Sequence, residues 1–126
     1  MNFCRGTVVL AELDPTVGNE QRGIRPCIVV SDPDLIGDQR YPVVCVVPVT
    51  GTPGEGLLYP PLLPGASGLA KQSCALIDHV RSIDKRRVRR VFGVLAREEL
   101  AAIDEGLAAF LSLGAPLDEP ETPYVH

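Results

Sequence analysis

The chain has 126 residues and a formal net charge of −4, and 45% of its residues are hydrophobic while 22% are charged. This length suits one domain with a real core, because a chain of this size buries roughly two-thirds of its unfolded surface. The composition excludes disordered and fibrous proteins, and apolar runs such as 27–30 and 43–47 are far too short to span a bilayer. Because Arg5 and Glu12 interrupt the first apolar stretch, we expect no signal peptide and predict a cytoplasmic protein without a membrane partner.

In chain order, the first predicted strand covers residues 5–13 and ends at the turn signal Asp14-Pro15. The polar segment 14–23 follows as a loop, and loops of that length in a small domain are often functional. A second strand covers 25–31, and residues 33–37 are predicted to form one helical turn that Asp32 caps. The continuous apolar run 41–50 is typical of a strand that is buried on both faces.

The second half of the chain predicts shorter strands and one long helix. Residues 57–63 are predicted to be extended, but Pro60 and Pro61 limit this segment to a sheet edge or prevent it from forming a strand. Residues 72–83 predict one or two short strands, and 88–95 predict the last strand. A helix is expected over 97–113, where apolar residues recur at helical spacing. The predicted apolar stripe consists of Leu100, Ile103, Leu107, Phe110 and Leu111.

This pattern predicts a mainly β, α+β domain over residues 1–114, in which a small curved antiparallel sheet or partial barrel is capped by a C-terminal helix. The proline-rich and acidic residues 115–126 are predicted to form a disordered tail. Twelve prolines and twelve glycines are typical of such a turn-rich fold.

The cysteines and histidines give no sign of a metal or a cofactor. The four cysteines lack CxxC spacing, and His79 is the only histidine outside the tail. Cys27 and Cys45 lie in apolar, β-branched runs and are predicted to be buried thiols that pack as small hydrophobic residues. No P-loop, GxGxxG, HExxH or GxSxG motif is present.

The loop after the first strand is the first candidate site. The loop contains Asn19, Glu20, Gln21 and Arg22, and Arg25 follows it closely. An arginine fork suits phosphate, and a carboxylate within its reach could accept a proton. A solvated polar loop with a surface ion pair has the same composition, and the composition by itself favours that second interpretation.

Two later segments are also candidates. Thr50 ends the buried strand just before Gly51, where its hydroxyl could donate to a phosphate oxygen, although the local sequence favours a turn-capping role. On a strand, His79 and Arg81 would share one face and Asp78 the other. The pair could then act together, or this segment could simply be a soluble strand face.

The charge is unevenly distributed along the chain. Residues 81–90 hold six basic side chains and one acid, a local sum of +5, whereas residues 97–126 hold one basic and seven acidic side chains, a local sum of −6. A run of like charges usually forms a solvated surface, but this asymmetry also fits a polyanion-binding face. The net charge of the chain therefore does not exclude a nucleic-acid partner.

Several blocks of the chain match a known pattern in the right order. Residues 13–16 read Leu-Asp-Pro-Thr, residues 18–26 read Gly-x-Glu-Gln-x-Gly-x-Arg-Pro, residues 47–50 read Val-Pro-Val-Thr, and residues 78–84 read Asp-His-Val-Arg-Ser-Ile-Asp. Over about residues 5–113 the chain resembles the MazF/PemK (Kid) toxins of bacterial type II toxin–antitoxin systems. The string around Glu-Gln-x-Gly-x-Arg-Pro is the most specific part of the match.

The resemblance implies an SH3-like barrel of the CcdB/Kid/PemK type, usually a homodimer. It also implies a sequence-specific endoribonuclease that cuts single-stranded mRNA, and a cognate antitoxin whose flexible acidic segment occupies the RNA groove; a DNA substrate is not expected. Arg25 and Thr50 match the residues most closely tied to catalysis, and Glu20 is a further catalytic candidate. RNA contacts are expected from polar residues of the two blocks, namely Asn19, Gln21, Arg22, Asp78, His79 and Arg81.

The implied chemistry uses a nucleophile that RNA itself carries, the 2′-OH, so neither a metal nor a protein nucleophile is required. Attack on the adjacent phosphorus would leave a 2′,3′-cyclic phosphate and a 5′-OH. Arg25 would stabilise the charge that develops on the phosphate, and Thr50 would hold a phosphate oxygen. Glu20 is the first candidate for the base, with Asp78 and His79 as alternatives.

The chain departs from the family pattern at several positions. Leu10 stands where Trp is common, Asn19 where some relatives have His, and Leu76 near where some have a basic residue. His79 replaces the Gln of many relatives, which adds a titratable group near the groove. We predict that His79 contacts RNA or affects the pH profile of cleavage.

Two other interpretations remain open from the sequence. The chain could be a CcdB-like toxin of the same fold that binds a protein target such as gyrase without cutting RNA. It could also be an RNA-binding module that has lost catalysis, which would bind RNA with a steep salt dependence and give no product.

Overall fold

The computed structural model describes residues 2–52 and 54–114. Two short 3₁₀ turns, Ile77–His79 and Lys85–Arg87, precede the last two strands. The predicted tail, residues 115–126, lies outside the described residues. The elements in chain order are β1 (Thr7–Glu12), β2 (Ile24–Val29), α1 (Pro33–Gly37), β3 (Val43–Thr50), β4 (Pro61–Leu62), β5 (Ser73–Ala75), β6 (Arg81–Asp84), β7 (Val88–Val94) and α2 (Arg97–Phe110).

The strands form one curved antiparallel sheet in the order β4-β5-β3-β2-β1-β7, with β6 also paired to β3. One edge of β3 pairs with β2, and its other edge is shared by β6 at the start and β5 at the end. The segment after β4 lies against the end of β7, where the Val94 N–H donates to the carbonyl of Ala66 at 3.0 Å. The prediction of a small curved sheet with a C-terminal helix is therefore confirmed, and β4 lies at an edge as its prolines require.

Successive side chains of a strand point in opposite directions, so β3 contributes to two separate core clusters. On β3, Val47 and Val49 belong to the core cluster that includes Ile103 of α2, whereas Val44 and Val46 belong to a second cluster with residues of β1, β2 and β7. Burying an aliphatic side chain of this kind contributes about 1.5–3 kcal/mol. The prediction that this strand is buried on both faces is confirmed.

Helix α2 is tied to the sheet at its start. The Glu99 carboxylate accepts the backbone N–H of Ala96 at 3.0 Å and that of Leu63 at 2.7 Å. It therefore satisfies a free donor at the helix N-terminus and fixes the segment after β4. The helix ends at Phe110, three residues before the predicted end, and the side chains of Phe110 and Leu111 are exposed. The predicted stripe is thus buried at Ile103 and Leu107, with Leu100 partly buried, but not at its C-terminal end.

Gly106 lets α2 approach the turn that precedes β6. A Cβ at this position would lie 2.9 Å from the carbonyl oxygen of Leu57 and 3.0 Å from the Cγ1 of Ile77. Helix interiors usually disfavour glycine, but here the missing side chain allows Ile77 to be fully buried below the helix. This contact holds the Ile77–His79 turn, and with it the residues that follow.

Two further local predictions concern the cap of α1 and the burial of two cysteines. The Asp32 side chain caps α1 by accepting the Asp34 N–H at 3.0 Å. Cys27 is buried as predicted, whereas Cys45 is only partly buried. Burial raises the pKa of the Cys27 thiol to about 12 and also raises that of Cys45, so both thiols stay protonated. Within residues 2–52 and 54–114, no helix is both long and apolar enough to cross a membrane.

Candidate active site

The loop 14–23 has a shape that its own backbone bonds maintain. The Leu13 N–H donates to the Gly23 carbonyl at 2.8 Å and closes the base of the loop. Gly18 and Gly23 have φ values of +62° and +78°, which residues with side chains rarely adopt. The Arg22 guanidinium donates to the Gly18 carbonyl at 2.9 Å, so this arginine, predicted to bind RNA, also braces the loop.

Two adjoining cavities lie between this loop and the segment 78–81. One has a volume of about 320 Å³ and the other about 400 Å³, and both are lined by Asn19, Gln21 and His79. We call their combined surface the groove. The smaller cavity is also lined by Glu20, Pro48, Asp78, Val80 and Arg81. The larger one is also lined by Thr50, Thr52, Gly54, Tyr59, Cys74 and Leu76.

The segment 78–81 reaches the groove by a different geometry from the predicted one. The interpretation as a strand is wrong for Asp78 and His79, which lie in the 3₁₀ turn Ile77–His79; β6 begins only at Arg81. The turn forms because the His79 N–H donates to Leu76 and the Val80 N–H to Ile77, at 3.0 and 3.1 Å. As a result, all four consecutive residues line one cavity instead of alternating between two faces.

Tyr59 joins this segment from a distant part of the chain. Its hydroxyl donates to the Oδ2 of Asp78 at 2.8 Å, and the Oδ1 of Asp78 lies 3.8 Å from the Nε2 of His79. The hydrogen bond to the Asp78 carboxylate, together with its charge, raises the pKa of Tyr59, which keeps the phenol protonated and able to donate. Tyr59 is not among the candidate residues that the sequence suggests. The only local signal is the pair of prolines that follows it, which indicates an extended segment but no site.

Glu20 and Arg81 face each other across the smaller cavity. The Oε2 of Glu20 lies 3.8 Å from a guanidinium nitrogen of Arg81, which also donates to the Leu13 carbonyl at 3.0 Å. The Arg81 side chain is 24% exposed and that of Glu20 54% exposed. Arg81 is therefore a cation held beneath the loop, and the more exposed carboxylate of Glu20 faces the cavity that a ligand would enter. The arginine next to Glu20 is thus Arg81, not Arg25.

Arg25 and Thr50 lie at the ends of neighbouring strands. The β2–β3 register pairs Cys27 with Pro48, and its continuation by two residues runs from Arg25 to Thr50. Arg25 is exposed and donates through Nε to the Arg22 carbonyl at 3.0 Å; it does not line either cavity. The Thr50 hydroxyl accepts the Thr52 N–H at 3.2 Å and lines the larger cavity, so it has the turn-capping role and also faces the groove.

The basic run 81–90 forms a second charged surface, beside the start of the loop. We call it the arginine edge; Arg86, Arg87 and Arg89 line it together with the acids Glu12, Asp14 and Asp84. The Arg86 side chain and backbone bind Asp84 and lower the pKa of that carboxyl to about 2. Arg89 is paired with Glu12, and Arg87 donates to the Asp14 carbonyl. Three acidic side chains therefore line this edge together with its three arginines.

The groove holds no cluster suited to a metal ion. Among the described residues, no group of three or more His, Cys, Asp or Glu side chains could hold a metal. What the groove offers instead is two carboxylates, an imidazole, amides, hydroxyls and a guanidinium. That set can donate to phosphate oxygens, read base edges and move protons.

Comparison with protein families identifies one match that covers most of the chain. Residues 4–111 match the model of the family described as PemK-like, MazF-like toxin of type II toxin–antitoxin system. The match includes the loop, Arg25, Thr50 and the segment 78–81, which are the blocks that carried the resemblance in the sequence.

Solved structures with the same fold include a MazF from Deinococcus radiodurans, at 26% identity and a TM-score of 0.74, covering 88% of this chain and 99% of that one. An endoribonuclease from a mycobacterial species is 20% identical with a TM-score of 0.72, over 92% and 98% of the two chains. A structure of a mycobacterial endoribonuclease in complex with its cognate antitoxin is 21% identical with a TM-score of 0.72, over 91% and 100% of the two chains. The antiparallel half-barrel with a C-terminal helix is thus the fold of known MazF structures.

Proposed function

Because the chain belongs to the PemK-like, MazF-like toxin family of type II toxin–antitoxin systems, we propose that it is a toxin endoribonuclease that cleaves single-stranded mRNA at a short specific sequence. One observation carries this proposal. Loop residues 19–21, Thr50 and the segment 78–81 are far apart in the chain, yet they line one groove. Those are the blocks in which the chain resembles the family.

The proposed reaction is a transesterification within the RNA. The 2′-oxygen attacks the adjacent phosphorus while the bond to the 5′-oxygen breaks, which leaves a 2′,3′-cyclic phosphate and a 5′-OH. Glu20 takes the proton of the 2′-OH, and the departing 5′-oxygen takes a proton from solvent water while the Arg25 guanidinium stabilises its charge. Asp78 and His79, which line the same cavity as Glu20, are the alternative bases. The reaction requires no metal, and DNA is not cut because it lacks the attacking hydroxyl.

The residues of the groove and the neighbouring Arg25 divide between the phosphate and the bases. Arg25 stabilises the charge that develops on the phosphate oxygens, and the Thr50 hydroxyl donates to one of them. The amides of Asn19 and Gln21 are suited to base edges, because each amide offers both a donor and an acceptor. Specificity for single strands follows, because only unpaired bases present those edges freely. Arg22 and Arg81 add positive charge along the RNA path.

Two protein partners complete the proposal. A homodimer is supported by the exposed apolar side chains at the end of α2, Phe110, Leu111 and Leu113, which are 43%, 50% and 61% exposed. A cognate antitoxin would place a flexible acidic segment in the groove, where it competes with RNA for the arginines. The cytoplasm, where mRNA is translated, is the proposed location.

The proposal is tested by digesting a long RNA of mixed sequence with the purified chain in EDTA and sequencing the new 5′ ends. We expect cuts at one short motif and ends that carry 5′-OH groups, so they accept an adapter only after phosphorylation. Thr50→Ala should lower the cleavage rate by about 100-fold or more, since a donor to the reacting phosphate is lost. Thr50→Ser keeps both the hydroxyl and the turn bond to Thr52, and it should stay active.

Three outcomes would overturn this proposal: RNA that remains intact, cleavage that EDTA abolishes, or cleavage by Thr50→Ala at the wild-type rate. Intact RNA together with growth inhibition in cells would favour the CcdB-like alternative, in which the chain binds a protein target. RNA binding with a steep salt dependence and no product would favour the inactive RNA-binding module.

A further inference from the structure

Tyr59 lines the groove but has no role in the proposed reaction. Its hydroxyl binds one oxygen of Asp78, at 2.8 Å, and the other oxygen of that carboxylate faces the His79 Nε2 at 3.8 Å. A phenol, a carboxylate and an imidazole therefore follow one another along the wall of the groove. Tyr59 and His79 also line the same cavity as Thr50, so the chain of three groups lies beside the proposed phosphate site.

The backbone on both sides of Tyr59 is fixed to the segment that leads to Asp78. The Ala75 N–H donates to the Pro60 carbonyl and the Ile77 N–H donates to the Leu58 carbonyl, both at 3.0 Å. Gly54 backs the side chain, since a Cβ at that position would lie 3.0 Å from the Tyr59 Cβ and 3.2 Å from its ring. Tyr59 is thus held at a set distance from Asp78 before any ligand binds.

We propose that Tyr59 is a positioning residue: by occupying Oδ2 of Asp78, it directs Oδ1 toward His79 and so fixes the imidazole for its part in RNA cleavage. This inference rests on the proposed endoribonuclease function. A carboxylate with one oxygen held by a hydroxyl cannot rotate freely, and a short movement would bring the 3.8 Å contact with His79 into hydrogen-bond range. Outer partners of this kind orient a histidine and set which nitrogen carries its proton.

Besides Asp78, several titratable or charged groups face His79, and each could affect the pH dependence of cleavage. Glu20 and Arg81 line the smaller cavity with it, and Cys74 lines the larger one. Burial raises the pKa of the Cys74 thiol, so this group stays neutral at the pH of an RNA assay. The charged neighbours are therefore Asp78, Glu20 and Arg81, of which Asp78 alone is bound to a phenol.

The test is Tyr59→Phe, which removes the hydroxyl and keeps the ring that lines the groove. We expect kcat to fall by about three- to tenfold, the range for losing one hydrogen bond of ordinary strength, while KM stays within about twofold because the ring surface is unchanged. The pH–rate profile should also change shape. Tyr41→Phe is the matched control, since Tyr41 is an exposed tyrosine that lines neither groove cavity.

The decisive measurement repeats Tyr59→Phe in a His79→Gln background. If the hydroxyl acts through the imidazole, its removal there should change kcat by less than about twofold, which is the non-additivity expected of a coupled pair. Equal losses of kcat in both backgrounds, with superimposable pH profiles and a lowered Tm, would overturn the proposal in favour of a structural role.

Failure of the proposed function gives a different result. A wild-type chain that leaves RNA intact removes the nuclease assignment, and the Tyr59 inference is then judged by binding of a 2′-O-methyl RNA across a pH series. Tyr59→Phe should alter the pH dependence of Kd when His79 is present and leave it unchanged in His79→Gln. The same pH dependence for Tyr59→Phe and wild type would overturn the positioning role on its own.

Discussion

The groove and the arginine edge are both charged surfaces, but their charges are partnered differently. At the arginine edge, the side chains of Arg86 and Arg89 are bound to Asp84 and Glu12, so the surface is close to neutral. Beside the groove, Arg25 donates only to a backbone carbonyl among the described residues, and within the groove the imidazole of His79 lies just beyond hydrogen-bond range of Asp78. Donors and a titratable group therefore remain available to a ligand in and beside the groove, whereas most guanidinium groups of the arginine edge are already bound to other groups of the protein.

The comparison shows why a run of like charge in a sequence is weak evidence of a binding surface. The run 81–90 is the most conspicuous feature of the sequence, and folding brings acids of β1 and its following loop beside it. A polyanion would have to displace those acids or pay for their repulsion. The segments that line the groove contain no comparable run of basic residues. Polar side chains from four separate segments nevertheless meet there, and convergent polar groups are what binding a specific ligand requires.

The largest expected effect is on cleavage, and it is seen by comparing the loss of the arginine beside the groove with the loss of one at the arginine edge. Arg25→Ala should lower kcat/KM for RNA by about 100-fold or more, because a guanidinium that stabilises transition-state charge is lost. Arg89→Ala, which breaks only the pair with Glu12, should stay within about twofold, as is usual for an exposed ion pair. Initial cleavage rates and thermal unfolding of both variants provide the measurement; similar losses in the two would show that the arginine edge also binds substrate.

A smaller effect is expected from removing the acids that neutralise the arginine edge. The double variant Glu12→Gln and Asp84→Asn leaves Arg86 and Arg89 without carboxylate partners, so non-specific RNA affinity should rise several-fold at low salt. The slope of log K against log salt should steepen by about 0.7 for each new phosphate contact. Binding titrations with a mixed single-stranded RNA at several salt concentrations measure both quantities. Unchanged affinity and slope would mean that the exposed guanidinium groups of this edge are not accessible to RNA.

The smallest effect concerns stability at acid pH. Arg86 lowers the pKa of Asp84 from 3.8 to about 2, so the folded state binds the proton less tightly than the unfolded state. The stabilising contribution of Asp84 is therefore complete above its ordinary pKa of 3.8 and is lost as the pH falls toward 2. Asp84→Asn should be slightly less stable than wild type near neutral pH, and the difference should vanish in acid.

Urea unfolding across a pH series measures this difference. Asp34→Asn is a suitable control, because Asp34 is an exposed aspartate whose side chain makes no hydrogen bond to an arginine within the described part of the chain. A gap between wild type and Asp84→Asn that persists below pH 2 would mean that the contact contributes through packing and not through charge.

Much of the fold follows from local patterns in the sequence. The apolar runs of β1 to β3, the Asp32 cap of α1 and the proline-limited edge of β4 are properties of short segments, and the structure agrees with each. At the end of α2 the structure differs from the prediction, because helical spacing identifies an apolar stripe but not which residues cover it. Phe110 and Leu111 fit the stripe, yet no described part of the chain buries them.

The sequence by itself determined the family, the mainly β architecture with a C-terminal helix, and a set of site candidates in the loop, at Thr50 and in the segment 78–81. Only the tertiary structure decided how those candidates meet. The 3₁₀ turn at Ile77–His79 depends on Ile77 packing under Gly106, and Tyr59 is brought to Asp78 by strand contacts across 19 residues. The pairing of Glu20 with Arg81 and of Arg89 with Glu12 likewise depends on which segments fold side by side, and a linear pattern contains no such distances.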